Sequence, residues 1–116
     1  MFAVKRVYDP PSAQDGARIL VDRLWPRGLT KEGAAIDDWI KALAPSNELR
    51  KWVHAHFEEW DEFRARYARE LAAPEAQAAM EALRARANAG RVTLLFSSRD
   101  TERNNATVLA ELLRAG

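Results

Sequence analysis

The sequence contains no cysteine and has only two histidines. Without cysteine there are no disulfides, no thiolate nucleophile and no zinc site built on cysteine ligands. His54 and His56 are separated by one residue, so they point to opposite sides of a strand and do not share a helix face. The glycine-rich fingerprints of dinucleotide and P-loop sites are also missing. We therefore predict no metal and no cofactor.

Long apolar runs and a strong charge of one sign are missing as well. No stretch approaches the ~20 apolar residues that cross a bilayer. The segment from Met1 to Arg6 lacks the order of a signal peptide, in which charge precedes a long apolar stretch. We expect a cytoplasmic protein without a membrane partner. The formal net charge of +1 argues against nucleic acid as a partner, because nucleic-acid binders carry a basic face.

The sequence does contain enough apolar material for one hydrophobic core. Its 116 residues are 47% apolar and 30% charged, which is the composition of a single globular domain over residues 1–116. We predict an α/β fold in which helices cover a small, mostly parallel sheet. The predicted strands are residues 3–8, 18–24 and 91–97, and the predicted helices are residues 36–43, 47–54, 59–72, 75–88 and 102–114.

Two local patterns bear directly on this prediction. Ile36 begins an apolar stripe with the i, i+3, i+4, i+7 spacing of a helix that lies on a core, and Leu43 ends it. Only about ten residues separate the first two strands, fewer than a parallel crossover usually needs. Either these two strands are not direct neighbours, or the crossover between them is unusually compact.

The best candidate for a site follows the second predicted strand. There a short apolar run passes directly into one carboxylate, two arginines and a tryptophan, namely Asp22, Arg23, Trp25 and Arg27. In open α/β sheets, ligands collect just beyond the carboxyl ends of strands. Trp25 lies between the arginines, where it could stack on a ligand or anchor a partner protein.

A second polar loop follows the last predicted strand and precedes a helix. It consists of Ser97, Ser98, Arg99 and Asp100. Helix N-termini present unpaired backbone N–H groups that suit anions. We expect Ser98, Asp100 or Thr101 to cap this helix, and Arg99 and Arg103 to hold a phosphate in forked geometry.

The two loops face each other across a cleft if both strand ends lie at the same edge of a parallel sheet. We therefore predict a site for a small anionic, phosphate-bearing ligand, made of Asp22, Arg23, Trp25, Arg27, Ser97, Ser98, Arg99 and Asp100. Whether the protein is an enzyme stays open at this point. A hydrolase or transferase acting in this cleft would use Asp22 or Asp100 as its base.

Other interpretations of the same residues stay open. The polar loop has a purely structural interpretation, in which its serines and Asp100 cap a helix and Arg99 pairs with a neighbouring carboxylate. A non-enzymatic interaction module is the alternative function, with Trp25 and the arginines forming a homodimer or partner surface. One of the two histidines could act as a general acid or base at the cleft rim. The spacing Ser97-x5-Arg103 is similar to the anion loop of cysteine phosphatases and rhodaneses, but serine is a weak nucleophile without a base.

Several runs of the sequence are similar to those of a known family. They are Val7-Tyr8-Asp9-Pro10-Pro11, Asp22-Arg23-Leu24-Trp25-Pro26-Arg27-Gly28-Leu29-Thr30-Lys31, Leu43-Ala44-Pro45-Ser46, Leu49-Arg50-Lys51-Trp52 and Arg99-Asp100. Through these runs the chain resembles, over essentially its whole length, the YeaO-like family of small uncharacterised bacterial proteins. The resemblance implies an α/β fold and no settled activity. Relatives often carry cysteines after the last strand, so a thiol-based reaction would not transfer to this chain.

Overall fold

The computed structural model describes all 116 residues and is built around a sheet of four parallel strands. The strands are β1 (Phe2–Arg6), β2 (Ala17–Leu20), β3 (Asp38–Trp39) and β4 (Val92–Phe96), in the spatial order β1-β4-β2-β3. Every residue of β4 is buried, because β4 pairs with β1 on one side and β2 on the other. A strand enclosed in this way reads as a continuous apolar run. The predicted α/β class is confirmed.

The two strands whose connection looked too short, β1 and β2, are not neighbours, because β4 lies between them. A 3-10 turn at Ala13–Asp15 and then Gly16 connect them. Gly16 has φ of 64°, and a Cβ at this position would lie 2.1 Å from the carbonyl oxygen of Arg91. Only glycine fits here, since both the positive φ and the close backbone approach exclude a side chain.

Five α-helices cover the sheet. They are α1 (Lys31–Ala34), α2 (Asn47–Ala55), α3 (Trp60–Glu70), α4 (Pro74–Ala89) and α5 (Asn105–Ala115). The predicted helices 47–54, 59–72 and 75–88 are confirmed to within two residues at each end. Their starts have local causes: the Ser46 hydroxyl accepts the backbone N–H of Leu49 at 3.1 Å, and Pro74 occupies the first turn of α4. No helix is both long and apolar enough to cross a membrane.

The predicted helix 36–43 is wrong. Residues 38–39 form the edge strand β3, and residues 41–43 form a 3-10 turn. Arg18 and Asp37 draw this segment to the sheet: the Arg18 N–H donates to the Asp37 carboxylate, and the Asp37 N–H donates to the Arg18 carbonyl, both at 2.8 Å. The apolar stripe is divided between two clusters, with Ile36 in the smaller one and Leu43 in the main core. Pairing at the sheet edge therefore overrides the helical spacing.

The remaining differences lie at the ends of elements. The predicted strands 3–8 and 91–97 are observed at 2–6 and 92–96, and the predicted strand 18–24 ends at Leu20. The predicted helix 102–114 begins only at Asn105, because the side chain of Asn104 accepts the backbone N–H of Thr107 at 2.9 Å. The loops after β2 and β4 are thus longer than predicted, and both lie at the carboxyl edge of the sheet.

Candidate ligand-binding cleft

The carboxyl edge of the sheet carries a cleft of about 520 Å³, which we call the arginine cleft. The loop after β2 and the loop after β4 contribute most of its lining, and the rest comes from α2 and from Tyr8, Pro45 and Asn105. Seven of the eight predicted site residues line it: Asp22, Arg23, Trp25, Arg27, Ser97, Ser98 and Arg99. The eighth, Asp100, is exposed and lies outside the lining. The structure therefore brings the two loops together as the strand-end argument predicted.

Asp22 joins the two loops. One of its carboxylate oxygens accepts the backbone N–H of Ser97 at 2.9 Å and the hydroxyl of the same residue at 2.7 Å. The other oxygen accepts the side-chain amide of Asn105, at the start of α5, at 3.2 Å. The Asn105 amide also donates to the Val21 carbonyl at 2.9 Å. Asp22 therefore holds β2, the loop after β4 and α5 in one arrangement.

The same loop is held from the opposite side by β1. Arg6, the last residue of β1, donates from Nε to the carbonyl of Ser98 at 2.9 Å and from Nη2 to the carbonyl of Ser97 at 3.2 Å. Its guanidinium also lies 5.1 Å from the centre of the Tyr8 ring. The loop after β4 is thus bonded to Arg6 at the end of β1 on one side and to Asp22 in the loop after β2 on the other, which fixes that wall of the cleft.

The arginines of the cleft have no carboxylate partner. None of those in its lining, Arg23, Arg27, Arg50 and Arg99, lies within 4.0 Å of an acidic oxygen. Arg23 is oriented by its Nε, which donates to the carbonyl of Pro45 at 3.0 Å and leaves the terminal Nη groups without a protein acceptor. The cleft therefore presents guanidinium groups whose donors are free to bind an anion.

Arg50, on α2, has the most unusual environment of these arginines. Its Nε atom is buried and has no hydrogen-bond partner. Leaving a buried donor without an acceptor costs about 1–3 kcal/mol. An oxygen of a bound ligand would supply the missing acceptor and remove that cost.

The start of α5 differs from the prediction in its cap residue. Asn104 caps this helix, so the prediction of a cap at Ser98, Asp100 or Thr101 is wrong. Asp100 accepts the backbone N–H groups of Arg103 at 2.8 Å and of Glu102 at 2.9 Å in the preceding turn. These bonds lower the pKa of Asp100. The amides of Glu102, Arg103 and Thr107 are therefore occupied, which leaves the arginine side chains as the main anion-binding groups.

Trp25 is held within the protein. Its indole N–H donates to the carbonyl of Leu29 at 2.7 Å, and its ring packs edge-on against Trp39 with centroids 5.4 Å apart. The Trp39 indole in turn donates to the carbonyl of Asp22 at 2.7 Å. The two tryptophans support the loop after β2, and one face of Trp25 reaches the cleft.

A smaller hollow of about 330 Å³, which we call the aromatic hollow, adjoins the arginine cleft. Its apolar lining consists of Val53, Phe57, Trp60 and Phe63. The Trp60 ring is stacked on Phe63 with centroids 4.6 Å apart, and Phe57 lies beside Trp60 at 5.5 Å. The Arg103 guanidinium lies 5.8 Å from the centre of the Phe57 ring. The hollow is therefore a row of aromatic rings with a cation at its edge.

Few groups in the cleft suit proton transfer. Asp22 is engaged by Ser97 and Asn105, as described above. Tyr67 lies behind the cleft and not in its lining; it is fully buried and donates to the Leu43 carbonyl at 2.5 Å. Burial, together with the negative charge of Asp22, raises the pKa of Tyr67, so its phenol stays protonated at neutral pH. His54 is exposed and is the only histidine in the lining, whereas His56 stacks on Trp52.

Sequence reasoning missed part of the lining. The main omissions are Arg50 on α2, together with Tyr8 and Asn105, whereas His54 was considered only as one of two histidines for the cleft rim. Arg50 and His54 are four residues apart, so they share a face of α2. That spacing was visible in the sequence, but nothing in it showed that this face of α2 turns toward the cleft.

Comparison with known proteins shows which family the chain is similar to. A family model described as "Inactive DUF488-N3 subclade" matches residues 1–116. The "Uncharacterized protein YeaO" of Escherichia coli strain K12 is 47% identical over 111 residues, which are 96% of this chain and 95% of that protein. The chain belongs to the YeaO-like family.

Other members of the YeaO-like family come from mycobacteria. The "Uncharacterized protein Rv3073c" of Mycobacterium tuberculosis strain H37Rv is 43% identical over 110 residues, which are 95% of this chain and 91% of that protein. No solved structure matches the chain. The YeaO-like relatives are described as uncharacterized and assign no activity to the cleft.

Proposed function

We propose that this YeaO-like protein binds a small, phosphate-bearing ligand in the arginine cleft. The observation that carries the proposal is the charge balance of the lining. Its arginines have no carboxylate partner, and its only carboxylate, Asp22, is already engaged by Ser97 and Asn105. Guanidinium groups donate to phosphate oxygens in paired, charge-assisted hydrogen bonds. The ligand is then a metabolite of the cytoplasm, where the sequence leads us to expect the protein.

The proposed role is binding without turnover. The matching family model describes its subclade as inactive. Of the two carboxylates considered as a base, Asp22 connects the two loops and Asp100 lies outside the cleft. The Ser97 hydroxyl donates to Asp22 at 2.7 Å, but Asp22 also accepts the Ser97 backbone N–H on the same oxygen. This arrangement favours a rigid wall over an activated nucleophile.

Replacing Arg23 by alanine should weaken binding of inorganic phosphate by about tenfold or more, because a hydrogen bond to a charged group contributes about 1.5–3 kcal/mol. Calorimetric titration and thermal shift measure this directly, since a ligand that binds only the folded state raises its melting temperature. Arg91→Ala is the matched control: Arg91 is exposed, precedes β4 at the opposite edge of the sheet, and carries the same charge. Equal affinities in the two variants, or no phosphate binding by the native chain, would contradict the proposal.

One observation favours the alternative function as an interaction module. Leu24 is 56% exposed and Tyr8 is 40% exposed, and both lie in the lining of the arginine cleft. Trp25, which the sequence suggested as the anchor, is half-buried and bonded to Leu29, so Leu24 is the better anchor of such a surface.

A homodimer formed through this surface predicts a mass that rises with concentration and a Leu24→Ser variant that dissociates at concentrations where the native chain is dimeric. Sedimentation equilibrium measures both, and the fold itself should be unaffected because Leu24 is exposed. A native chain that is monomeric at all concentrations would exclude the homodimer.

A further inference from the structure

We infer that the ligand of the arginine cleft is a nucleoside monophosphate whose base lies in the aromatic hollow; this inference rests on the proposed function. The arginine cleft and the aromatic hollow are continuous, because five residues line both: Pro45, Arg50, His54, Ser98 and Asn105. Volumes of about 520 and 330 Å³ are in the range of small-molecule sites. A ligand that fills both parts carries an anion at one end and an apolar group at the other.

The aromatic hollow has the chemistry of a base-binding surface. Phe57 is 39% exposed although it is a large apolar side chain, and its ring lies beside Trp60. The guanidinium of Arg103 lies over the same Phe57 ring. Nucleobases stack on aromatic faces and on guanidinium planes, and this stacking does not depend on a particular base.

The boundary between the two parts is polar. Ser98 accepts the backbone N–H of Asp100 through its hydroxyl oxygen at 3.2 Å, which leaves the hydroxyl proton free to be donated. His54 is exposed at this boundary, and Arg50, with its unpartnered Nε, reaches both parts. Such a boundary suits the hydroxyl and ester oxygens of a sugar. A sugar phosphate alone would leave the aromatic rings uncovered, and an aryl phosphate would leave the polar boundary without partners.

The test compares AMP with ribose 5-phosphate by calorimetric titration of the full chain. We expect AMP to bind about tenfold tighter, the contribution of one stacked base. Phe57→Leu, which keeps an apolar side chain and removes the ring, should lower AMP affinity about five- to tenfold and leave ribose 5-phosphate affinity unchanged. Arg23→Ala should lower the affinity for both ligands. Circular dichroism checks that each variant is folded.

The outcomes separate this inference from the proposed function. Equal affinities of AMP and ribose 5-phosphate for the native chain, or an equal effect of Phe57→Leu on both, would overturn the nucleotide assignment and leave anion binding intact. Phenyl phosphate that binds as tightly as AMP would overturn the role given to the sugar. If inorganic phosphate, ribose 5-phosphate and AMP all fail to bind, the proposed function itself is wrong.

Discussion

Replacing Asp15 by asparagine is expected to destabilise the fold by about 3–5 kcal/mol, the usual effect of removing one partner from a buried ion pair. Asp15 is 7% exposed and Arg18 is 3% exposed. The Asp15 carboxylate accepts Arg18 Nη1 at 2.6 Å and Lys5 Nζ at 3.1 Å. Without the carboxylate charge, the cations of Lys5 and Arg18 lie close together without a counter-ion, and Arg18 is too buried to be hydrated.

The consequence extends beyond the pair because Arg18 connects β2 to the end of α1. Its Nη2 donates to the carbonyl of Ala34 at 2.9 Å, and its Nε donates to that of Ala35 at 3.2 Å. Asp15 also accepts the backbone N–H of Ser12 at 3.0 Å, which closes the turn between β1 and β2. Asparagine keeps the size of the side chain, so the loss reports on charge and hydrogen bonding and not on a cavity.

Chemical denaturation measures the loss of stability in Asp15→Asn, whose melting temperature should fall by about 12–20 °C. Asp9→Asn is the matched control, because Asp9 is exposed and its side chain makes no hydrogen bond or ion pair. That variant should stay within about 0.5 kcal/mol of the native chain. If the two variants lose similar, small amounts of stability, Asp15 is not a structural centre of the fold.

The stability of the Asp15→Asn variant should also depend on pH differently from that of the native chain. Burial raises the pKa of Asp15, but hydrogen bonds from Ser12, Lys5 and Arg18 outweigh it and leave the pKa below its ordinary value. A carboxyl with a lowered folded-state pKa stabilises the fold above its unfolded pKa of about 3.9, and this contribution is lost as the pH falls through the folded value. The native chain should therefore lose stability as the pH falls below about 4. Asp15→Asn should lose less over the same range, and an equally steep loss would contradict this assignment.

Sequence patterns predicted the parts of the fold that local chemistry determines. Ser46 and Pro74 mark the starts of α2 and α4, and apolar spacing identifies the buried face of α3, with Phe63 and Tyr67. The segment 36–43 has the same kind of spacing but is held at the sheet edge by Arg18, which is far away along the chain. No local pattern reports such a bond.

The candidate site, too, was predictable where local patterns and strand topology determine it and not where tertiary packing does. The rule that parallel strand ends share one edge correctly brought Asp22 and Ser97 together. The cap of α5 was not predictable in this way, because the run from Asp100 to Asn105 contains several residues that can cap a helix, and the sequence does not rank them. Arg50 reaches the cleft through the packing of α2, which is a tertiary property.

Asp22→Ala is expected to lower stability by about 2–3 kcal/mol, because the backbone N–H and hydroxyl of Ser97 and the amide of Asn105 lose their acceptors in a half-buried region. Asp22→Asn keeps one acceptor oxygen and should lose about 1 kcal/mol. The two variants together separate the hydrogen bonds of Asp22 from its charge. Urea denaturation of both chains measures the difference.

Phosphate binding by Asp22→Asn then decides what the carboxylate does. In the proposed function, Asp22 positions the loop after β4 and is the only negative charge in a lining of arginines. Removing that charge should raise the affinity for inorganic phosphate about threefold or more, since a like charge near the anion opposes binding. A tenfold loss of affinity in a folded Asp22→Asn chain would instead mean that the carboxylate itself contacts the ligand, as a hydrogen-bond acceptor or as a base. That result would favour an enzyme over the binding protein proposed here.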